Sequence, residues 1–190
     1  MSCNNLRDVV FEIGTEEIPA RFMRGSMSEL MRIATELFER ERLNFSKLKA
    51  YGTPRRLVLY VEGMSDVQPD LEKRVKGPAA KVAFDSDGNP TKALQGFARG
   101  AGVDPTQVEV VKGDQGDYVY ATVTEKGRPV KEVLAEVFSK VITSLSFPKT
   151  MRWGNREFRF VRPIRWILAM FGDEVVPFTF EDISASNLTQ

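Results

Sequence analysis

Apolar and polar residues alternate along 7–13, RDVVFEI, which sets Val9, Phe11 and Ile13 on one side of a strand. From Pro19 to about Leu43 the period lengthens to that of a helix. Met23, Met27, Leu30, Ala34, Leu37 and Phe38 line one flank, with Glu29, Arg32, Glu36 and Arg40 opposite. Glu36 precedes Arg40 by four residues, the favourable order for a helical ion pair. After a short segment, KLKAYGTP, the period of two returns in RLVLYVEGM, where Leu57, Leu59 and Val61 share a face. The interval DVQPDLEKRVKGP is polar and rich in breakers, and reads as a linker or a change of lobe near 66–80.

Beyond it, Asp87-Gly88 marks a turn, and a short helix is expected from about Thr91 to Arg99. Strands are expected at VEVVKG and DYVYATVTEKG, the second bringing Tyr118, Tyr120 and Thr122 together. A second amphipathic helix spans about 129–145, with Pro129 in its first turn. Val133, Leu134, Val137, Val141, Ile142 and Leu145 form its inner side. In RWILAMFGDEVVPFTF two apolar runs flank Gly172-Asp173, the pattern of a hairpin. The expected fold is α+β: a mixed sheet with a hairpin near the C-terminus, covered by two main amphipathic helices. Residues 81–148 are a candidate sub-lobe, with 149–190 returning to the main sheet.

Composition changes the picture mainly by what it removes. The chain has 190 residues, 42% hydrophobic and 28% charged, with a net charge of +1, so any anionic partner must be met by local clustering. One cysteine, Cys3, leaves no internal disulfide or zinc ligand set and fits a reducing cytosol. No apolar run reaches the roughly 20 residues of a membrane helix, and no signal-peptide core opens the chain, so no membrane partner is expected. There is no histidine. That removes the usual general base near neutral pH and the commonest metal ligand. No GxxxxGK[ST] or GxGxxG phosphate loop is present either.

Four stretches carry candidate chemistry. In FEIGTEEIPARFM, the residue before Pro19 is biased to extended backbone, so a helix begins near Pro19 and Glu16 and Glu17 lie by its positive end. Gly14 would let the chain turn out of the strand. The alternatives are an acidic contact for a partner's arginine or lysine, or a two-carboxylate hydrolytic site. Segment 149–166, KTMRWGNREFRFVRPIRW, sets Lys149, Arg152, Arg156, Arg159, Arg162 and Arg165 among Trp153, Phe158, Phe160 and Trp166. It reads as an RNA-phosphate surface, a protein interface, or a strand with its phenylalanines in the core and its arginines in water. TPRR adds Arg55 and Arg56, which project to opposite sides if a strand starts there. DSDGN at 85–89 lacks the closing glutamate of a calcium loop, with Gly96 and Phe97 where an acid is required, and is set aside.

Taken together, EIGTEEIPARF, YGTPRRLVLYVEG, VKGPAAKVAFDSDGNPTKALQGFARGAGV and FPKTMRWG…FRFVRPIRWILAMFGDEVVPF resemble the N-terminal part of the β subunit of bacterial glycyl-tRNA synthetase, in order and across nearly the whole chain. The resemblance implies an α2β2 class II enzyme of the cytoplasm that uses ATP to activate glycine and attach it to tRNA-Gly. It places the catalytic core, with ATP and Mg, on the α subunit, and no cofactor on this segment. Partners implied are the α subunit, tRNA-Gly and the rest of a longer β chain. Such β chains also resemble in part the B3/B4 editing module of phenylalanyl-tRNA synthetase. The quoted motifs carry no catalytic residue over from either relative.

Overall fold

The computed structural model describes residues 6–85, 88–112, 116–155 and 157–190. Two compact units emerge: one of residues 1–69 and 128–190, the other of residues 70–127. The sequence pattern suggests an inner lobe at 81–148. The second helix falls outside the inner unit because its whole apolar side is buried in the first unit's core.

In the larger unit, strands β1 (Leu6–Thr15), β2 (Lys47–Thr53) and β3 (Arg56–Ser65) surround helix α1 (Ala20–Arg40) in sequence. Helix α4 (Val130–Ser144) and strands β7 (Ile164–Phe171), β8 (Glu174–Val175), β9 (Thr179–Phe180) and β10 (Ile183–Ser186) complete it. The sheet order is β2-β3-β1-β7-β10-β9, with β8 pairing β7. β10 runs parallel to β7 while the other pairs are antiparallel, so the sheet is mixed as expected. Val9, Phe11 and Ile13 of β1 and Leu57, Leu59 and Val61 of β3 are buried on one face, as their alternation requires. α1 and α4 cover that face. Phe11 stacks on Phe138 of α4, ring centroids 4.2 Å apart and planes within 1°. The helical spacing singles out Val133, Leu134, Val137, Val141, Ile142 and Leu145, all buried; Phe138 and Val130 belong with them.

KLKAYGTP, which shows no clear periodicity, contains edge strand β2. The interval read as a linker or a change of lobe is largely β4 (Leu71–Ala79), a strand with most of its side chains in solvent, and the smaller unit does begin within it at Asp70. In the smaller unit β4 joins β6 (Tyr118–Glu125) and β5 (Val108–Val111) in an antiparallel sheet, order β4-β6-β5. Helices α2 (Ala80–Ala83) and α3 (Lys92–Ala101) complete it, and Ala83, Leu94 and Val119 are its buried centre. Thr91 caps α3 by accepting a hydrogen bond from the Leu94 amide. Tyr118, Tyr120 and Thr122 do share a face, but the buried side of β6 is the other one, Val119 and Ala121. Asp87 of the Asp87-Gly88 turn lies outside the described residues.

The expected hairpin is present: Phe171 pairs with Glu174 and Met170 with Val175 across Gly172-Asp173, and Gly172 takes φ 59. At its mouth the Glu174 carboxylate accepts hydrogen bonds from Lys131 and from Arg7, each at 2.6 Å. Lys131 first, then Arg7, hold its pKa down at about 2 against an ordinary 4.5. A carboxyl depressed by folding adds stability above its unfolded pKa and loses it as pH falls towards the folded value. The expected result is that Glu174→Gln flattens the fall in stability between pH 4.5 and 2, measured as denaturation midpoint against pH.

Candidate functional site

Three sequence candidates lie far apart in the chain and meet in space. Pro54 and Arg55 form the tight turn between β2 and β3, so TPRR is a hairpin loop. The Arg55 carbonyl accepts from the Thr15 amide at 2.8 Å, and the Pro54 carbonyl from the Ile18 amide at 2.6 Å. On the other side the Glu16 amide donates to the Pro163 carbonyl at 3.0 Å. The Glu16–Ile18 crossing is therefore bracketed by backbone bonds from both sides before Pro19 opens α1. Both glutamates precede α1, which has no acid in its own first turn. Glu16 pairs with Arg165 at 2.9 Å, and the Glu17 carbonyl accepts from Arg162 Nε at 3.0 Å.

Beneath this crossing is a group the sequence did not single out. Glu12 is 6% exposed on β1, on the face away from the helices. Its Oε1 accepts from Trp166 Nε1 and from Thr189 Oγ1, each at 2.6 Å, while Oε2 faces Arg56 NH1 at 3.6 Å. Arg56 donates to Thr189 Oγ1 at 2.8 Å and to the Gln190 carbonyl at 2.7 Å, and lies over the Trp166 ring. The register explains the packing: Gly14 stands opposite Arg56 on β3 and opposite Trp166 on β7. A Cβ on Gly14 would sit 2.0 Å from the indole. Gly14 is thus required for the indole to lie against the strand, and not for a turn out of it, since β1 continues through Thr15.

The segment 149–163 is largely irregular rather than a strand. A Met151–Phe160 bridge closes it, and only from Ile164 does β7 begin. Phe160 is buried, its ring centroid 4.8 Å from Phe147, and Phe158 packs against Phe180. The phenylalanines therefore face the core, which matches one part of the third alternative, although the segment is not a strand. Among the cations, Arg159 donates to Thr150 Oγ1 and its carbonyl, and Arg162 to the carbonyls of Glu17 and Val161. With Arg165 on Glu16 and Arg56 on Glu12, these four are committed within the chain. Arg156 lies outside the described residues. Among the described residues, Arg55, Lys149 and Arg152 are exposed and make no side-chain hydrogen bond or ion pair. Lys149 follows Pro148, which shares with Arg21 a cavity of about 260 Å³ at the start of α1. Among the described residues, no three His, Cys, Asp or Glu side chains gather as a metal ion would require.

Comparison with known proteins decides the family. The profile of the family described as "Glycyl-tRNA synthetase beta subunit" matches residues 9–190. The chain belongs to this family. It is similar to the glycine–tRNA ligase beta subunit of Moorella thermoacetica, 49% identical over 183 residues that make up 96% of this chain and 26% of the relative. The beta subunit of Desulfitobacterium hafniense strain DCB-2 is 46% identical over 184 residues, 97% of this chain and 27% of the relative. That of Geobacter metallireducens is 45% identical over 185 residues, with the same coverage of 97% and 27%. The chain thus spans about a quarter of the length of these glycyl-tRNA synthetase beta subunits. The match runs through both β1 and β7, so the Glu12–Trp166 centre lies inside the family's shared region.

Proposed function

We propose that this segment serves glycine attachment to tRNA as a non-catalytic part of the β chain, offering a basic surface to RNA beside a rigid sheet. Activation of glycine with ATP and Mg is assigned to the α subunit. The observation that supports this is the division of labour among charges. Of the candidate acids, Glu16 holds Arg165, and the buried Glu12 holds Trp166 and Thr189, while Arg55, Lys149 and Arg152 point into solvent. An unpaired exposed cation is what a phosphate contact needs, since it gives up no internal partner on binding. Glu16→Gln and Glu17→Gln are accordingly expected to leave release of amino acid from mischarged tRNA unchanged in the whole enzyme.

Replacing Arg55, Lys149 and Arg152 by alanine in the full α–β complex is expected to weaken tRNA binding. The slope of log K against log salt should become shallower by about one for each phosphate that is no longer neutralised. Binding titrations across a salt series read this directly. An unaltered slope, with subunit assembly impaired instead, would turn the same surface into a protein interface.

A further inference from the structure

Strand β7, IRWILAMF, is apolar on both of its faces from Trp166 to Phe171, with the exposed Arg165 at its start. That is the pattern of a strand covered on both sides; a sheet with one face in water alternates apolar with polar. α1 and α4 account for one side only. The opposite side carries two rows fixed by register. One runs Lys49, Tyr60, Val10, Met170 across β2, β3, β1 and β7. The other runs Tyr51, Val58, Glu12, Leu168, Ser186 and so reaches β10. Val10, Val58, Tyr60, Leu168 and Met170 are half-buried, and Tyr51 is 52% exposed. Within this unit, among the described residues, no helix packs on them.

The chain itself leads onto this side. After β10 the Leu188 amide donates to Ser186 Oγ, Thr189 reaches Glu12 on β1, and the Gln190 carbonyl is held by Arg56 on β3. Residues 186–190 therefore cross from β10 over β7 and β1 to β3, with Leu188 69% exposed. In the relatives the matched region is only 26–27% of the protein, so most of each relative lies outside it. We propose that the helix-free side of the larger sheet is an intramolecular docking surface, covered by the part of a full-length β chain that follows residue 190. The Glu12–Arg56–Thr189 contacts steer that segment onto the Val10, Val58, Leu168 and Met170 rows. The inference rests on family membership and on this geometry, and not on the RNA surface proposed above.

The test is photocrosslinking in the full-length β chain without its partner subunit. A benzophenone amino acid replaces Val58 in one variant and Tyr51 in a second; Tyr51, at the exposed rim, tolerates the change should the Val58 variant fail to fold. Glu36, on the outer side of α1, carries the probe in the control. The expected result is crosslinking from 58 and 51, but not from 36, to peptides beyond residue 190 of the same chain, shown by mixing isotopically labelled and unlabelled protein. Crosslinks between copies, crosslinks to residues 70–127, or none above the control would each overturn the proposal.

Discussion

Gly14→Ala is expected to destabilise the protein by about 1–3 kcal/mol, although alanine is the smallest side chain that can be added. The new methyl would lie 2.0 Å from the Trp166 ring, well inside contact distance. The indole cannot easily swing aside. Its Nε1 is tied to Glu12, the residue is 5% exposed, and β7 is paired through Trp166 to Gly14 itself. Close-packed interiors relax only in part, so either the ring leaves its rotamer or β1 and β7 separate. Trp166→Leu removes the obstacle. In that background Gly14→Ala is expected to cost much less, giving a coupling energy on the order of 1 kcal/mol or more in a double-mutant cycle. Denaturant titration of the four proteins measures it, and simple additivity would show that Gly14 serves another purpose.

Glu12→Ala is the second large effect. It takes the acceptor from the Trp166 indole and from Thr189, and leaves the Arg56 guanidinium without its carboxylate. Breaking a buried pair by removing one member costs about 3–5 kcal/mol, mostly because the other charge stays behind in low dielectric. The Arg56 side chain keeps 30% of its exposure, so the lower end of that range, about 3 kcal/mol, is the expected value. Glu12→Gln retains an oxygen for the indole and is expected to lie well below Glu12→Ala. Thermal or denaturant midpoints separate the two. Equal losses would mean that the charge at Glu12 accounts for the whole effect, and that the acceptor and volume glutamine keeps contribute nothing.

These two positions also show where the sequence was legible. The elements with a buried side announced themselves, because burial on one face imposes a period: β1, α1, β3 and α4 all follow from theirs, while β7 showed as an apolar run before the Gly172-Asp173 turn. β2 and β4 gave no such signal. Lys47 and Lys49 on one and Glu72, Lys73, Arg74 and Lys76 on the other are strand residues whose side chains face water, as edge strands often require. Boundaries inside the chain were misplaced for a related reason, since α4 belongs by its packing to a unit it does not follow directly in sequence.

The site was half legible. Glu16, Glu17, Arg55, Arg56 and the arginines of 149–166 were all marked by composition, and several prove to be neighbours. What sequence could not supply was pairing. That Glu16 meets Arg165, and that Arg162 is taken up by backbone carbonyls, depends on which strand lies beside which. The same holds for Gly14, whose reason is a ring far along the chain at Trp166. Only register makes that contact visible.

The most direct measurement compares two partial reactions in the full α–β enzyme, wild type against the Arg55, Lys149 and Arg152 triple alanine variant. If this segment offers RNA a positive surface while bond formation belongs to the partner subunit, glycine-dependent ATP–pyrophosphate exchange should be unchanged and tRNA charging should fall through a raised KM for tRNA. A loss of pyrophosphate exchange in proportion to the loss of charging would contradict it.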